Sequence, residues 1–223
     1  MNGLIARFIG AHHHKGQTEL LVLTTIKGRI MQSTEREKLV FFLSLYLENN
    51  MNTTPESNPY FYYVDGNYIE YLKECELQKR GFTCVPNAHY WNTDKFVFGA
   101  VLCINDLSYF VPVSSYSRKQ QDLILIKDKN DKHILGSLRF NFMIPVPNNL
   151  LHKLDINNLP TTNNRVHTSK ELAFCRRNRD KIYKFALKTY NRVKSGNYPE
   201  LNKNSCDFEL LEKASMEYEE RKY

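Results

Sequence analysis

Paired cysteines, long apolar runs and acids enough to balance the cations are all scarce in this chain. Its cysteines (Cys75, Cys84, Cys103, Cys175 and Cys206) are odd in number, scattered, and contain no CxxC pair. That pattern argues against a disulfide framework and a cysteine-based zinc site, and for a reduced, cytoplasmic setting. The longest mainly apolar run, Leu39 to Leu47, is too short to span a bilayer. Nor does the N-terminus frame an apolar run as a signal peptide does, so no membrane partner is expected. Against 31 Lys and Arg there are 24 Asp and Glu, a net charge of +7, which points to a polyanionic partner. The surplus is uneven. Residues 165–196 hold ten cations and two acids, whereas 197–223 hold four cations and seven acids.

What the chain does have is core. Across 223 residues, 42% hydrophobic and 13% aromatic content is enough for one large domain, or one domain with an appendage. Residues 1–50 read differently from the rest, with a short strand over 20–26 and a helix over 36–48 that lines up Leu39, Phe42 and Tyr46. The adjacent His12, His13 and His14 do not converge on one ion without further ligands, so no metal site is expected there. Residues 51–59 form a polar linker. Met51 offers an alternative start, which would make 1–50 an N-terminal extension to a domain over 60–223.

From Phe61 the pattern tightens. A strand over 61–64 meets Asp65-Gly66-Asn67, a cap for a helix from Tyr68 to about Arg80 that Gly81 ends, with Tyr68, Tyr71, Leu72 and Cys75 on its apolar face. Phe96 to Ile104 reads as a strand covered on both sides, and Asn105-Asp106 turns it into Leu107 to Val113. Strands follow over 123–126 and 133–140, with a last edge strand expected over 142–147, where prolines cannot donate to a central ladder. About five short strands with tight turns predict an α+β protein built on a bent antiparallel sheet or small barrel.

The C-terminal third is helical. Thr168-Ser169-Lys170-Glu171 reads as a capping box opening one helix that Gly196 closes. Leu172, Cys175, Ile182, Ala186 and Val193 then face inward, leaving Arg176, Arg177, Lys181, Lys184, Lys188 and Arg192 outward. With so few acids nearby, that face is a candidate RNA-binding surface, against the plainer reading of a solvated helix face. A last, acidic helix is expected from Asp207 to about Glu220.

One loop has the makings of a phosphate site. The strand ending in Phe110-Val111-Pro112-Val113 opens into Ser114, Ser115, Tyr116 and Ser117, followed by Arg118 and Lys119. Hydroxyls with adjacent cations hydrogen-bond and neutralise a phosphate, although an ordinary polar turn has the same composition.

Five blocks in order then amount to a resemblance: Phe61 to Val64 with Tyr68 to Glu74, Lys95 to Leu102, Tyr109 to Ser115, Gly136 to Val146, and Cys206 to Glu212. Together they resemble the ToxN/AbiQ family, the endoribonuclease toxins of type III toxin–antitoxin systems, over about residues 60–220. The resemblance implies a strongly bent antiparallel sheet similar to the MazF/Kid fold, surrounded by helices. It also implies RNA cleavage without metal or other cofactor, and phage defence. Its partners would be a small structured RNA antitoxin, held in a closed protein–RNA assembly, and cellular or phage RNA as substrate. By position, Lys95 matches the family's active-site lysine, Ser115 its loop serine, Ser114 the residue before it, and Tyr90 the upstream tyrosine, with one residue inserted. Where the family loop continues Ser-Pro-Lys, this chain has Ser115-Tyr116-Ser117-Arg118-Lys119, so Arg118 or Lys119 must be the loop cation.

Those residue types suit attack of a 2′-hydroxyl on the adjacent phosphorus. Lys95 with Arg118 or Lys119 would stabilise the charged phosphorane, and Ser114 and Ser115 would hold its oxygens. Tyr90 or a desolvated Lys95 would transfer protons; sequence does not assign acid and base. Two alternatives remain: a non-catalytic RNA-binding protein on the same scaffold, and a MazF-like toxin opposed by a protein antitoxin.

Overall fold

At Asp65 the chain passes from its first strand into its first helix. The computed structural model describes residues 59–90, 93–130 and 132–220, with Tyr90, Thr93 and the last two residues described in backbone only. The expectations for 20–26, 36–48, the histidines at 12–14 and nearly all of the 51–59 linker, Met51 included, lie outside the described residues. After β1 (Tyr60–Val64), the Asp65 carboxylate accepts from the N–H groups of Asn67 and Tyr68 at 2.9 and 3.2 Å, capping α1 (Gly66–Arg80). Gly81, with φ 74°, ends it. The buried face is Tyr68, Ile69, Leu72 and Glu76, rotated from the one expected; Tyr71 and Cys75 are half-buried.

A small ribbon of β2 (His89–Tyr90) and β3 (Thr93–Asp94) leads to the central hairpin, β4 (Val97–Ile104) and β5 (Leu107–Ser114). Asn105 (φ 50°) and Asp106 (φ 64°) turn it, the left-handed pair a tight two-residue hairpin needs. Gly99 lets its strands meet, since a Cβ there would stand 2.6 Å from Cδ1 of the buried Phe110 ring. Between Gly99 and Leu102 the register shifts, and such bulges bend and twist a strand. A second hairpin joins β6 (Leu123–Lys127) to β7 (Ile134–Arg139); β8 (Ile144–Pro145) and β9 (Leu151–Lys153) follow.

The strand order is β6-β7-β5-β4-β1-β9, antiparallel throughout, with β8 also on β5. β5 divides one edge between two neighbours: Tyr109 and Phe110 pair with β8, Val113 and Ser114 with β7. The sheet stays open, with β6 and β9 as free ends among the described residues, so the small-barrel alternative does not form. The strand expected over 142–147 shrinks to two residues, because Phe140–Phe142 coils as a 3₁₀ turn. The true last strand, β9, was missed; its Leu-His-Lys has no apolar alternation to announce it.

One long helix was expected over 168–196, and two form: α2 (Thr162–Arg177) and α3 (Arg179–Lys194). Thr161 is the cap, its Oγ1 accepting from the Asn164 N–H at 3.1 Å, while Thr168 and Glu171 lie buried in mid-helix. Asn178 makes the break. Its backbone N–H and its side-chain amide both donate to the Phe174 carbonyl, at 3.0 and 2.9 Å, a local bond that competes with helix continuation. α4 (Pro199–Lys203) and α5 (Phe208–Glu220) complete the fold.

α2 packs on β6 and β7, α3 on β4, and α5 on α1 and β8. Glu212 of α5 joins three elements, accepting from the Tyr109 hydroxyl at 2.7 Å and the Tyr190 hydroxyl at 2.6 Å beside Lys194 Nζ at 3.3 Å. Among the described residues no helix is long and apolar enough to cross a membrane.

Candidate active site

The open end of the β4–β5 hairpin gathers the sequence candidates. Val97 pairs with Pro112, and the Val113 N–H donates to the Phe96 carbonyl at 3.1 Å. One step further, that register sets Lys95 opposite Ser114. On its other edge Ser114 pairs with Ser137 of β7, so Lys95, Ser114 and Ser137 fall in one row across three strands. Lys95 is half-buried, and its backbone N–H donates to the Ala88 carbonyl at 2.8 Å, which fastens the β2–β3 ribbon to the hairpin. Tyr90 pairs with Thr93 in that ribbon, and its side chain lies outside the described set.

The loop after β5 is folded on itself. Ser114 Oγ accepts from the Tyr116 N–H at 3.2 Å, and Gln120 Nε2 donates to the Tyr116 hydroxyl at 2.8 Å. Ser115, Arg118 and Lys119 are exposed, and neither cation has an ion pair among the described residues. Arg118 and Lys119 thus both remain candidates for the loop cation.

Behind the row lies a group no sequence pattern indicated. A Cβ on Gly136 would stand 2.7 Å from Glu171 Oε1 and 2.8 Å from the Ser114 carbonyl oxygen, so the carboxyl of α2 presses on the strand beside Ser114. Burial pushes the Glu171 carboxyl up to about 8. His167 Nε2 is 3.5 Å from Glu171 Oε1 but makes its shorter contact, 3.1 Å, with the Leu135 carbonyl. Ser137 is buried, and its hydroxyl has no partner among the described residues. At the ribbon, His89 Nδ1 and Asp94 Oδ1 meet at 2.6 Å. These contacts arise from strand pairing and helix packing rather than chain spacing, which is why the sequence hides them. Among the described residues no group of three or more His, Cys, Asp and Glu side chains is placed to hold a metal ion.

The six candidate RNA-binding cations divide. Arg177, Lys181, Lys184 and Lys188 are exposed, and the three lysines ring Phe185 in a shallow depression of about 350 Å³. Arg176 is half-buried, its Nε donating to the Pro59 carbonyl at 3.2 Å and its guanidinium lying 5.0 Å from the centre of the Tyr60 ring. Arg192 pairs with Asp122 at 2.9 Å, which ties the last turn of α3 to the end of the loop. Along α3 the cations from Arg192 back to Lys181 extend about 16 Å from that point.

Comparison with known proteins bears on both fold and site. The model of the family described as Toxin ToxN, type III toxin–antitoxin system, matches residues 60–216. Endoribonuclease ToxN of Pectobacterium atrosepticum is 31% identical over 71% of this chain and 92% of its own length. Endoribonuclease AbiQ of Lactococcus lactis subsp. lactis is 29% identical over 72% of this chain and 90% of its own. A solved structure concerned with bacterial type III systems, and with selective toxin inhibition by a non-coding RNA pseudoknot, superposes with a TM-score of 0.65 and 28% identity, covering 74% of this chain and 99% of that one. From residue 60 to 216, the strands and helices described above are those of this family, and the chain belongs to the ToxN toxins of type III toxin–antitoxin systems.

Proposed function

We propose that this protein is an endoribonuclease toxin of the cytoplasm, restrained by a small structured RNA that it also processes, and active in phage defence. The observation that carries the catalytic reading is the row at the hairpin end, where Lys95 faces Ser114 beside the exposed Ser115, Arg118 and Lys119. A phosphodiester laid across it finds hydroxyls for its nonbridging oxygens and cations for the charge that builds as the 2′-oxygen attacks phosphorus. The phosphorus–5′-oxygen bond then breaks, leaving a 2′,3′-cyclic phosphate and a 5′-hydroxyl. Charge stabilisation comes from side chains, so the step needs no metal. Lys181, Lys184 and Lys188 would take phosphates of the same strand further along α3.

The experiment is cleavage of single-stranded RNA by the RNA-free protein in EDTA, with the product ends mapped. The expected result is cutting with 2′,3′-cyclic phosphate ends. A strict requirement for magnesium would sink the mechanism, and an inert protein would sink the enzyme.

A further inference from the structure

Between the loop and the basic helix lies a cavity of about 710 Å³ that the reaction above does not use. Its walls are the loop end at Gln120 to Asp122, Arg139 with Phe142, and the α3–α4 connection at Asn197 and Tyr198. The volume falls in the range of small-ligand sites, and the lining mixes apolar side chains such as Phe142, Tyr198 and Leu201 with amides and charge, as a guest with both a flat ring and a polar group requires.

Arg139 is the group that asks for a ligand. Its guanidinium lies 4.2 Å from the centre of the Phe142 ring and 5.4 Å from that of Tyr116, the aromatic of the loop itself. Its Nε is buried with no hydrogen-bond partner, and no carboxylate pairs with it among the described residues. Nε itself is shut off from the cavity, but Arg139 lines the cavity without an ion pair among the described residues, and its planar N–H fork suits a phosphate. The other cation of the cavity, Arg192, is already spent on Asp122, and the exposed Glu200 of the lining disfavours a phosphate beside it. The anion therefore belongs at Arg139.

Tyr198 supplies the second contact. Tyr198 is 44% exposed, and the Arg192 guanidinium lies over its ring, 4.6 Å from the centre; exposed aromatic rings and guanidinium planes are surfaces on which unpaired bases rest. The side-chain amides of Gln121 and Asn197, both exposed, are within the same lining and can pair with a base edge.

We propose that this cavity holds one unpaired nucleotide of the bound RNA, with its phosphate on Arg139 and its base on Tyr198. The site rests on the reading of the protein as an RNA-cutting enzyme. It adjoins the loop end at Gln120 to Asp122 and the last turn of α3 at Arg192, the helix whose exposed lysines lie further back along it.

The test is a double-mutant cycle in which one partner is the RNA. A series of 2′-fluoro oligonucleotides, which bind without offering a 2′-hydroxyl to attack, carries a single abasic residue moved along the strand. Affinities are measured for the wild type, Tyr198→Ala and Arg139→Gln. At one position the missing base should weaken wild-type binding about five- to a hundredfold, and the same RNA should cost Tyr198→Ala almost nothing. Arg139→Gln should weaken every RNA in the series and lower the salt slope by about one phosphate contact. Penalties that multiply at every position overturn the cavity. Because Tyr198 is exposed, its variant keeps the fold. Binding is read without cleavage, so the two readings fail separately. Coupling at one position in a protein that never cuts RNA overturns the nuclease alone, cutting without coupling overturns the cavity alone, and absence of any RNA binding overturns both.

Discussion

Two buried carboxylates illustrate how differently one residue type behaves. Glu76 is fully buried yet fully served, accepting from Arg80, Thr83, the Cys84 N–H and the Asp207 N–H at 2.6–2.9 Å. Glu171 is almost as buried but has only His167 at 3.5 Å as an ion pair among the described residues, so desolvation dominates and its carboxyl rises to about 8. The folded value lies above the unfolded one, near 4.5. The protonated group is therefore harmless below pH 4.5, and stability is lost as pH climbs from there to about 8. Glu171→Gln, which is neutral throughout, should remove a loss of roughly 2–4 kcal/mol between pH 5 and pH 8. Denaturant unfolding of both proteins at the two pH values is the measurement, and parallel profiles would show that Glu171 ionises freely. Neither carboxylate was legible in the sequence. Glu76 sits in a stretch that reads as charged surface, and Glu171 fits a capping box that the real cap, Thr161, makes redundant.

At the scale of elements, the β4–β5 hairpin was the most legible part of the chain. An apolar run, an Asn-Asp turn and a second run are local signals, and they fixed where Lys95 and Ser114 stand. The α2–α3 break was not legible, because Asn178 acts through a side-chain bond that leaves no trace among charged neighbours. That break alters how binding and chemistry should be separated. Arg176 is held to Pro59 and Tyr60, so its removal would disturb the fold as well as the RNA. The exposed Lys181, Lys184 and Lys188 are cleaner probes. Changing all three to Ala should weaken RNA binding and flatten its salt dependence, leaving single-turnover cleavage of bound RNA close to wild type. Ser115→Ala should do the opposite, holding affinity while cleavage falls about a hundred- to a thousandfold, as expected when a preorganised contact to transition-state charge is lost. Wild-type cleavage by Ser115→Ala would mean that the loop does not perform the chemistry.

For the molecule as a whole, the family match begins at residue 60, where the legible pattern also begins. We accordingly expect that deleting residues 1–50 leaves both growth arrest and its relief by the RNA unchanged in cells. Arrest that disappears with the deletion would assign those residues to the working protein. The β9 edge of the sheet was not legible in advance, since β9 is too short to signal and is placed only by the strand it meets.

The bonds of Glu76 also set a timetable. Its carboxylate is completed by the Asp207 N–H, 131 residues further along, while Lys79 reaches Asp207 across 128. β1 likewise waits for β9, and Tyr109 for Glu212 on the final helix. During synthesis the β4–β5 hairpin emerges early, but the structure that holds it rigid is finished only when α5 leaves the ribosome. A chain stopped after Cys206 should be protease-sensitive and harmless to its host, whereas growth arrest by that fragment would show that the hairpin is armed before the protein is complete.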